Sequence, residues 1–216
     1  KGIRILKAAG IKVSAGMMRN DCEKLNEVFV KVMKTGVPFV TVKTAMSLDG
    51  KIATREGDSQ WISGIKSRDF VHELRDQNDA VLVGTNTILK DNPQLTCRLK
   101  KKQGRHPARI ILDRRNRVPL TAKVFANSKT QRVVYVSGPK LSMKREKLLK
   151  AKNIEVLKVK TLKSGFDLKQ LMKLLAQKEL NSILIEGGGE INSSAFEAGI
   201  VDRVFAFISP ILVGGQ

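Results

Sequence analysis

The sequence offers few side chains for holding a metal or forming a crosslink. It has two histidines, His72 and His106, and two cysteines, Cys22 and Cys97, which form no CxxC pair. That supply argues against a structural zinc site, and it fits a reducing, cytosolic setting. Large polar aromatics are equally scarce, Trp61 and Tyr135 being the whole stock. Single-strand binders stack bases on such rings, so no stacking platform is expected here. Long hydrophobic runs are missing too. The longest, residues 204–213, is interrupted by Ser209 and Pro210 and falls short of the ~20 residues needed to cross a bilayer. No internal repeat, low-complexity linker or signal peptide is visible, and the first residue is Lys rather than Met.

Acidic residues are the last shortage. Twenty Asp and Glu face forty Lys and Arg, leaving a formal charge of +20. Such a surplus implies polyanionic partners, either nucleic acid or small molecules bearing several phosphates. Part of it lies between residues 144 and 163 without interleaved aromatics, the pattern of a solvated lysine surface.

What is present is a chain of 216 residues, enough for one large domain or slightly more. Residues 1–10 read as a helix end closed by glycine, and residues 11–14 as a short strand. Residues 20–34 read as a helix capped by Asn20, with Glu23 at the capping-box position and Leu25, Val28, Phe29 and Val32 on one face. Gly36-Val37-Pro38 then breaks the chain, which divides it into residues 1–36 and 37–216. Strands are expected over 39–46, 80–83, 109–113, 132–137, 154–159, 182–186 and 203–208, from their β-branched and apolar density. Helices are expected over 63–77, from Thr85 to the Asn92-Pro93 break, over 142–150 and 166–178, and after the glycines at 187–189. This alternation means an α/β fold with a largely parallel sheet covered on both faces, whose ligands gather at the carboxyl ends of strands.

Three stretches carry candidate chemistry. In SILIEGGGEINSSAF, residues 182–196, an apolar strand ends on Glu186 and three glycines open a helix. Glycines allow close backbone approach and positive φ, and amides at a helix start favour phosphate. A plain strand–turn–helix connection explains the glycines equally well. The segment is not the Rossmann fingerprint, because Asn192 stands where the third glycine belongs. In VKTAMSLDGKIA, residues 42–53, a strand delivers Lys43 and Ala45 to a loop bearing Ser47, Asp49 and Lys51; Asp-Gly there is also a common turn. The third stretch is GDSQWISG followed by LRDQNDAVLVGTNTILKDNPQLTCRL. It offers Arg75, Asp91 and Arg98 as charges and Thr85 to Thr87 as caps.

Taken in order, TAMSLDGKIA, GDSQWISG, VGTNTILKDNPQLTCR and LIEGGGEINSSAF resemble the reductase domain of the bifunctional riboflavin-biosynthesis deaminase–reductase. The likeness runs from about residue 38 to the end of the chain. Residues 1–36, with GIKVSAGM and LNEVFVKVMKTG, resemble the tail of the preceding deaminase domain. The HxE and PCxxC zinc motifs of that domain are absent, so no deaminase activity is expected of this stretch. The domain's last strands are expected to be missing as well. The resemblance implies an α/β, dihydrofolate-reductase-like domain with a mixed, mostly parallel central sheet and flanking helices. It implies NADPH-dependent reduction of 5-amino-6-(5-phosphoribosylamino)uracil to its ribitylamino form, with hydride reaching the sugar C1 of a ring-opened imine or aldehyde. By resemblance, Ala45, Trp61, Thr87, Asp91 and the turn Gly188, Gly189, Glu190, Ile191, Asn192, Ser193 and Ser194 hold NADPH. Ser59, Arg75, Leu95, Arg98 and Glu186 touch the substrate. A cytoplasmic homodimer, with no membrane and no specific nucleic-acid partner, is also implied.

The residues themselves agree with those roles. Arg75 and Arg98 are forked donors suited to phosphate. Arg114, directly after Asp113, stands where the adenosine ribose is expected, and a contact with the 2′-phosphate would select NADPH; Arg115 and Arg117 are equally basic neighbours. Proton transfer falls to Lys43, Asp49 or Glu186, the first and last expected to meet across the ligand edge of the sheet. The plain alternatives are a solvent-facing strand lysine and a carboxylate at a helix N-terminus. Two other functions stay open: a basic nucleic-acid-binding module, although no RRM, KH or zinc-finger pattern occurs, and a fragment that binds cofactor without turnover.

Overall fold

The computed structural model describes residues 1–54, 64–100 and 102–214. Seven strands build the central sheet: β1 Phe39–Ser47, β2 Ala80–Gly84, β3 Ala108–Leu112, β4 Val133–Ser137, β5 Glu155–Lys158, β8 Ser182–Ile185 and β9 Arg203–Ser209. A separate hairpin pairs β6 Thr161–Leu162 with β7 Gly165–Phe166. The helices are α1 Gly2–Ala8, α2 Arg19–Leu25, α3 Glu27–Thr35, α4 Ile65–Gln77, α5 Thr85–Asp91, α6 Met143–Ala151, α7 Leu168–Ala176 and α8 Gly189–Glu197.

The strand order is β5-β4-β3-β2-β8-β1-β9, and every pairing in it is parallel. Among the described residues the expected antiparallel admixture is therefore absent from the central sheet, and antiparallel pairing is confined to the β6–β7 hairpin. The reason lies in the connections: each pair of sheet strands adjacent in sequence is joined by a crossover that returns the chain to the same end. Inner strands such as β2 and β8 are buried along their whole length, as parallel strands covered on both faces must be. One face packs Val42, Leu82, Ile110, Val134 and Ile183 against Leu171, Met172 and Leu175 of α7 and Ala195 of α8. The other packs Val81, Val83, Ile111 and Tyr135 against Ile88 of α5 and Leu149 of α6.

The chain runs outward from β1 through β2 to β5 and then returns, so β8 is inserted between β1 and β2. That insertion is the topological switch point, where open parallel sheets leave a crevice beyond the carboxyl ends of their strands. The sequence pattern thus sets Glu186, the residue after β8, at the crevice.

The N-terminal stretch departs from expectation. Residues 11–14 form no strand, and the helix expected over 20–34 is broken into α2 and α3 at Asn26. Asn26 has φ −109° and ψ 23°, and its side chain donates to the Cys22 carbonyl at 2.9 Å, competing with the helix for that acceptor. Asn20 lies inside α2 and does not cap it; the left-handed Met18, φ 52°, precedes the helix. Helix α3 is nonetheless tied to the sheet. Lys31 pairs with Asp202, Arg203 pairs with Glu27, and Asp202 also accepts the Val40 amide at 2.8 Å.

Candidate active site

Glu186 inherits its position from β8, and its amide donates to the Leu82 carbonyl at 3.0 Å. Arg75 reaches it from α4 as a fork, Nε to Oε1 at 2.6 Å and Nη2 to Oε2 at 2.7 Å, while Nη1 donates to the Thr96 carbonyl at 3.0 Å. The two side chains are only 12% and 9% exposed, so this is a largely desolvated bidentate pair. Burial opposes the charge on Arg75, yet the Glu186 carboxylate outweighs it and raises the arginine's pKa.

Lys43 joins this pair from β1. The β1–β8 register matches Val42 with Ile185, so Lys43 and Glu186 follow side by side. The ammonium of Lys43 lies 5.6 Å from the centroid of the Phe207 ring, and Phe70 packs on Phe205 and Phe207 at 5.5 and 5.9 Å. Burial lowers the pKa of Lys43; Glu186 opposes that shift and Arg75 adds to it.

A cavity of about 890 Å³ begins at Gly188, two residues beyond Glu186, and is not lined by Lys43, Arg75 or Glu186 themselves. Of the residues expected at the cofactor, Thr87, Asp91, Arg114, Gly188, Gly189, Glu190, Ile191, Ser193 and Ser194 line it. Ala45 and Asn192 do not: Ala45 lies opposite Phe207 in the β1–β9 pair, and the buried Oδ1 of Asn192 has no partner among the described residues. Ser59 and Trp61 lie outside the described residues.

The glycines serve close approach and not unusual backbone angles. Gly188 has φ −63°, and neither Gly187 nor Gly189 enters the left-handed region. A Cβ on Gly187 would stand 3.2 Å from the Ile191 Cβ, and one on Gly84 would stand 2.4 Å from the Ile191 Cδ1. The start of α8 therefore lies directly on the ends of β2 and β8. The threonines expected to cap α5 are also otherwise engaged. Thr85 donates to the Leu112 carbonyl at 2.9 Å and to Asp113 at 3.1 Å, and Thr87 accepts the Gly188 amide at 3.2 Å.

Beyond β3, the buried Asp113 organises the arginine loop. It accepts the amides of Arg117 and Val118 at 3.0 and 2.7 Å and the Tyr135 hydroxyl at 2.8 Å. Burial, reinforced by that bond to a carboxylate, pushes the Tyr135 pKa up. The loop thereby turns Arg114, Arg115 and Arg117 toward the cavity. Arg114 donates to the Leu162 carbonyl at 3.4 Å. Arg117 donates to Asn86 at 3.0 Å, and Asn86 donates to Glu190 at 3.2 Å, a bridge between three elements. Arg115 has no hydrogen-bonding or charged partner among the described residues.

Asp49 has a different place from the one expected of a proton donor. The Ser47 hydroxyl donates to it at 2.5 Å, and the Val213 and Gly214 amides at 3.2 and 2.9 Å, which holds its carboxyl down to about 2. A carboxyl so acidic has no proton to give at neutral pH. It ties the loop after β1 to the segment after β9. Leu95 is buried at 3% exposure with φ 56° and packs in the core on the α5–α6 face of the sheet. Arg98 is exposed three residues further on.

Sequence reasoning passed over Asn86, the hairpin residues Gly165 and Phe166 that line the cavity, and His72, whose ring accepts the Arg98 amide. The hairpin had a signal in Lys163-Ser164-Gly165, a turn between short extended pieces. The other two had none, since their partners are distant in sequence. Among the described residues no group of His, Cys, Asp and Glu could hold a metal ion, and no helix is long and apolar enough to cross a membrane.

This geometry has counterparts among known proteins. Residues 38–216 match the family described as the RibD C-terminal domain. The riboflavin biosynthesis protein RibD of Aquifex aeolicus is 40% identical over 99% of this chain and 58% of its own length. That of Actinobacillus pleuropneumoniae is 37% identical over 100% of this chain and 57% of its own. The chain thus spans little more than half of these relatives. The crystal structure of a diaminohydroxyphosphoribosylaminopyrimidine deaminase/5-amino-6-(5-phosphoribosylamino)uracil reductase from Thermotoga maritima superposes with a TM-score of 0.83 at 35% identity, covering 100% of this chain and 57% of that one.

Proposed function

Because the chain belongs to the RibD C-terminal domain family, we propose that it reduces 5-amino-6-(5-phosphoribosylamino)uracil to the ribitylamino product, a step of riboflavin biosynthesis, with NADPH as reductant. In this reading residues 37–216 are the reductase domain and residues 1–36 the end of a deaminase domain. The functional unit is a cytoplasmic homodimer.

The observation that carries the reading is the adjacency of two unlike sites at one switch point. The Lys43–Glu186–Arg75 cluster leads, through Gly187 and Gly188, straight into the cavity at the start of α8. The cavity suits a dinucleotide phosphate. Its volume of about 890 Å³ lies in the range of cofactor sites, roughly 300–1,000 Å³. The Ile191 amide bonds to the Gly188 carbonyl at 3.1 Å, but the Gly189 and Glu190 amides that open α8 lack intrahelical acceptors and favour a pyrophosphate, and a side chain at Gly189 would crowd Ile52 at 3.2 Å. Arg114 and Arg115 supply the positive charge that a 2′-phosphate requires.

When bound, NADPH supplies the hydride. The protein's own residues bind, orient and move protons. Arg98 and Arg75 attract the phosphate of the substrate, and Glu186 holds Arg75 while presenting its carboxylate to the opened sugar. Lys43, kept acidic by burial, is the group placed to protonate or hydrogen-bond the oxygen or nitrogen at sugar C1.

Fluorescence titration with NADPH, with NADH and duplex DNA as competitors, tests the reading. Saturable binding that prefers NADPH over NADH, resists DNA and weakens about tenfold in Arg114→Ala is expected, a phosphate contact being worth roughly that much. Displacement by DNA as readily as by NADH would instead mark a basic surface without a nucleotide site.

A further inference from the structure

Both histidines of the chain aim Nδ1 at one short segment, on two consecutive amides. His106 Nδ1 accepts the Cys97 amide at 3.2 Å, and His72 Nδ1 accepts the Arg98 amide at 3.2 Å. The Cys97 thiol donates back to the His72 carbonyl at 3.3 Å, and Arg75 grips the Thr96 carbonyl at 3.0 Å. The segment is one that needs holding. Leu95, at its start, sits in the left-handed region with φ 56°, and a bulky side chain stays there only when its surroundings fix it. Arg98, at its end, is exposed and its guanidinium has no partner among the described residues. The segment is thus rigid in its backbone and free at its one cationic tip.

An imidazole nitrogen that accepts a backbone N–H carries no proton itself, so His72 is neutral with its hydrogen on Nε2. Its surroundings favour that state. Burial lowers its pKa first, followed by Arg75 on its own helix and Arg98 on the segment; Glu186, from the end of β8, and a hydrogen bond with the Thr96 backbone oppose them. Asp69 and Asp76 on α4 are occupied by Lys100 and Lys102. Protonation would turn the acceptor into a donor facing another donor, and would add a third cation beside Arg75 and Arg98.

We propose that His72 is a positioning residue, whose neutral ring fixes the backbone of Arg98 for the phosphate of the substrate and whose protonation releases it, with His106 fastening the neighbouring amide. The proposal rests on the reductase reading only in taking Arg98 as the phosphate contact. It predicts that acid conditions weaken substrate binding before they slow chemistry.

Three proteins test it: the wild type, His72→Asn and His72→Phe. The Asn oxygen lies near the position of Nδ1 and does not titrate, whereas Phe keeps the ring and removes the acceptor. As pH falls from about 7.5 through the lowered pKa of His72, KM of the wild type is expected to rise about fivefold to tenfold relative to that of His72→Asn, with little change in kcat, the loss of roughly one hydrogen bond. His72→Asn is expected to show only the pH dependence that ionisation of the substrate phosphate brings, and His72→Phe a raised KM throughout. A His72→Asn variant that keeps the pH dependence of the wild type would overturn the proposal. Nitrogen-15 NMR of the ligand-free wild type decides independently of turnover. Nδ1 of His72 unprotonated, with the Arg98 amide resonance following the titration of His72, is the supporting result. A protonated Nδ1, or an Arg98 amide indifferent to that titration, would refute it even if the protein reduces no substrate, an outcome that would sink the reductase reading separately.

Discussion

Glu186 stands between two cations of different character. Arg75 is fixed to it by two short hydrogen bonds, while Lys43 is coupled to it through the field of neighbouring strands. Breaking the fork strands a buried charge, so Arg75→Met should destabilise the protein by about 3 kcal/mol in urea denaturation, the typical cost of orphaning one partner of a buried pair. Glu186→Gln removes the charge while keeping the shape. It leaves the buried Arg75 without its anion, so we expect a stability loss of similar size, and a kcat/KM reduced by at least about tenfold, in the range of a positioned carboxylate's contribution. The Lys43 side chain gives a sharper test because its pKa is lowered below the ordinary 10.5. If its protonated form is the proton donor, kcat/KM falls as pH rises through that lowered value. In Lys43→Arg the alkaline limb should move beyond the accessible range, since guanidinium does not deprotonate there. A wild-type profile flat up to pH ~10 would remove Lys43 from the role of acid.

At the scale of elements, the crevice depends on how closely α8 lies on β2 and β8. Gly84 has an ordinary φ of −92°, so alanine there meets no backbone penalty and only the contact with Ile191 matters. A Cβ at that position, 2.4 Å from the Ile191 Cδ1, forces the isoleucine side chain to move. Gly84→Ala should therefore cost about 1–2 kcal/mol, the usual size of mild overpacking. Adding Ile191→Val, which deletes Cδ1, should recover most of the loss; a double mutant no more stable than Gly84→Ala would mean that the strain lies elsewhere. The inner strands were legible in the sequence because strands buried on both faces read as apolar runs, and the part-exposed edge strands β5 and β9 by their β-branched and apolar density; all seven sheet strands stand within about two residues of where that pattern put them. The short hairpin β6–β7 and the break at Asn26 were not, for each turns on a few residues and a local hydrogen bond. The site was legible only in part. Its glycines and charges announced themselves, but the Arg75–Glu186 fork joins residues 111 apart, and periodicity carries no information about such a contact. Resemblance supplied the grouping of residues that composition and spacing left scattered.

Across the whole molecule, charge outweighs every other feature of the surface. With +20 in 216 residues, repulsion among cations is spread widely, while the attractive pairs are few and local. Screening by salt weakens both, but repulsion acts over longer distances and is lost first as the Debye length shrinks from ~30 Å at 0.01 M to ~8 Å at 0.15 M. The thermal midpoint should accordingly rise over that interval at neutral pH. Acid should act in the opposite direction. Asp49 and Glu146 are held down to about 2, Asp49 by a hydroxyl and amides and Glu146 by Lys150 and Lys158, and Asp76 and Glu155 are lowered as well. Carboxyls whose folded pKa is depressed stabilise the fold above their unfolded values near 4, and that stability drains away as pH falls toward 2. His72, also lowered, extends the same trend upward, because below ~6.5 the unfolded chain binds a proton that the folded chain refuses. Each proton taken up also increases a net charge that is already positive. Thermal scans from about pH 7 to about pH 2.5, in low and moderate salt, should therefore show a midpoint that falls throughout and falls less steeply with salt. A midpoint that salt lowers at neutral pH would show the local pairs, not the surplus of cations, to govern stability, and the +20 would then be a property of the surface without consequence for the fold.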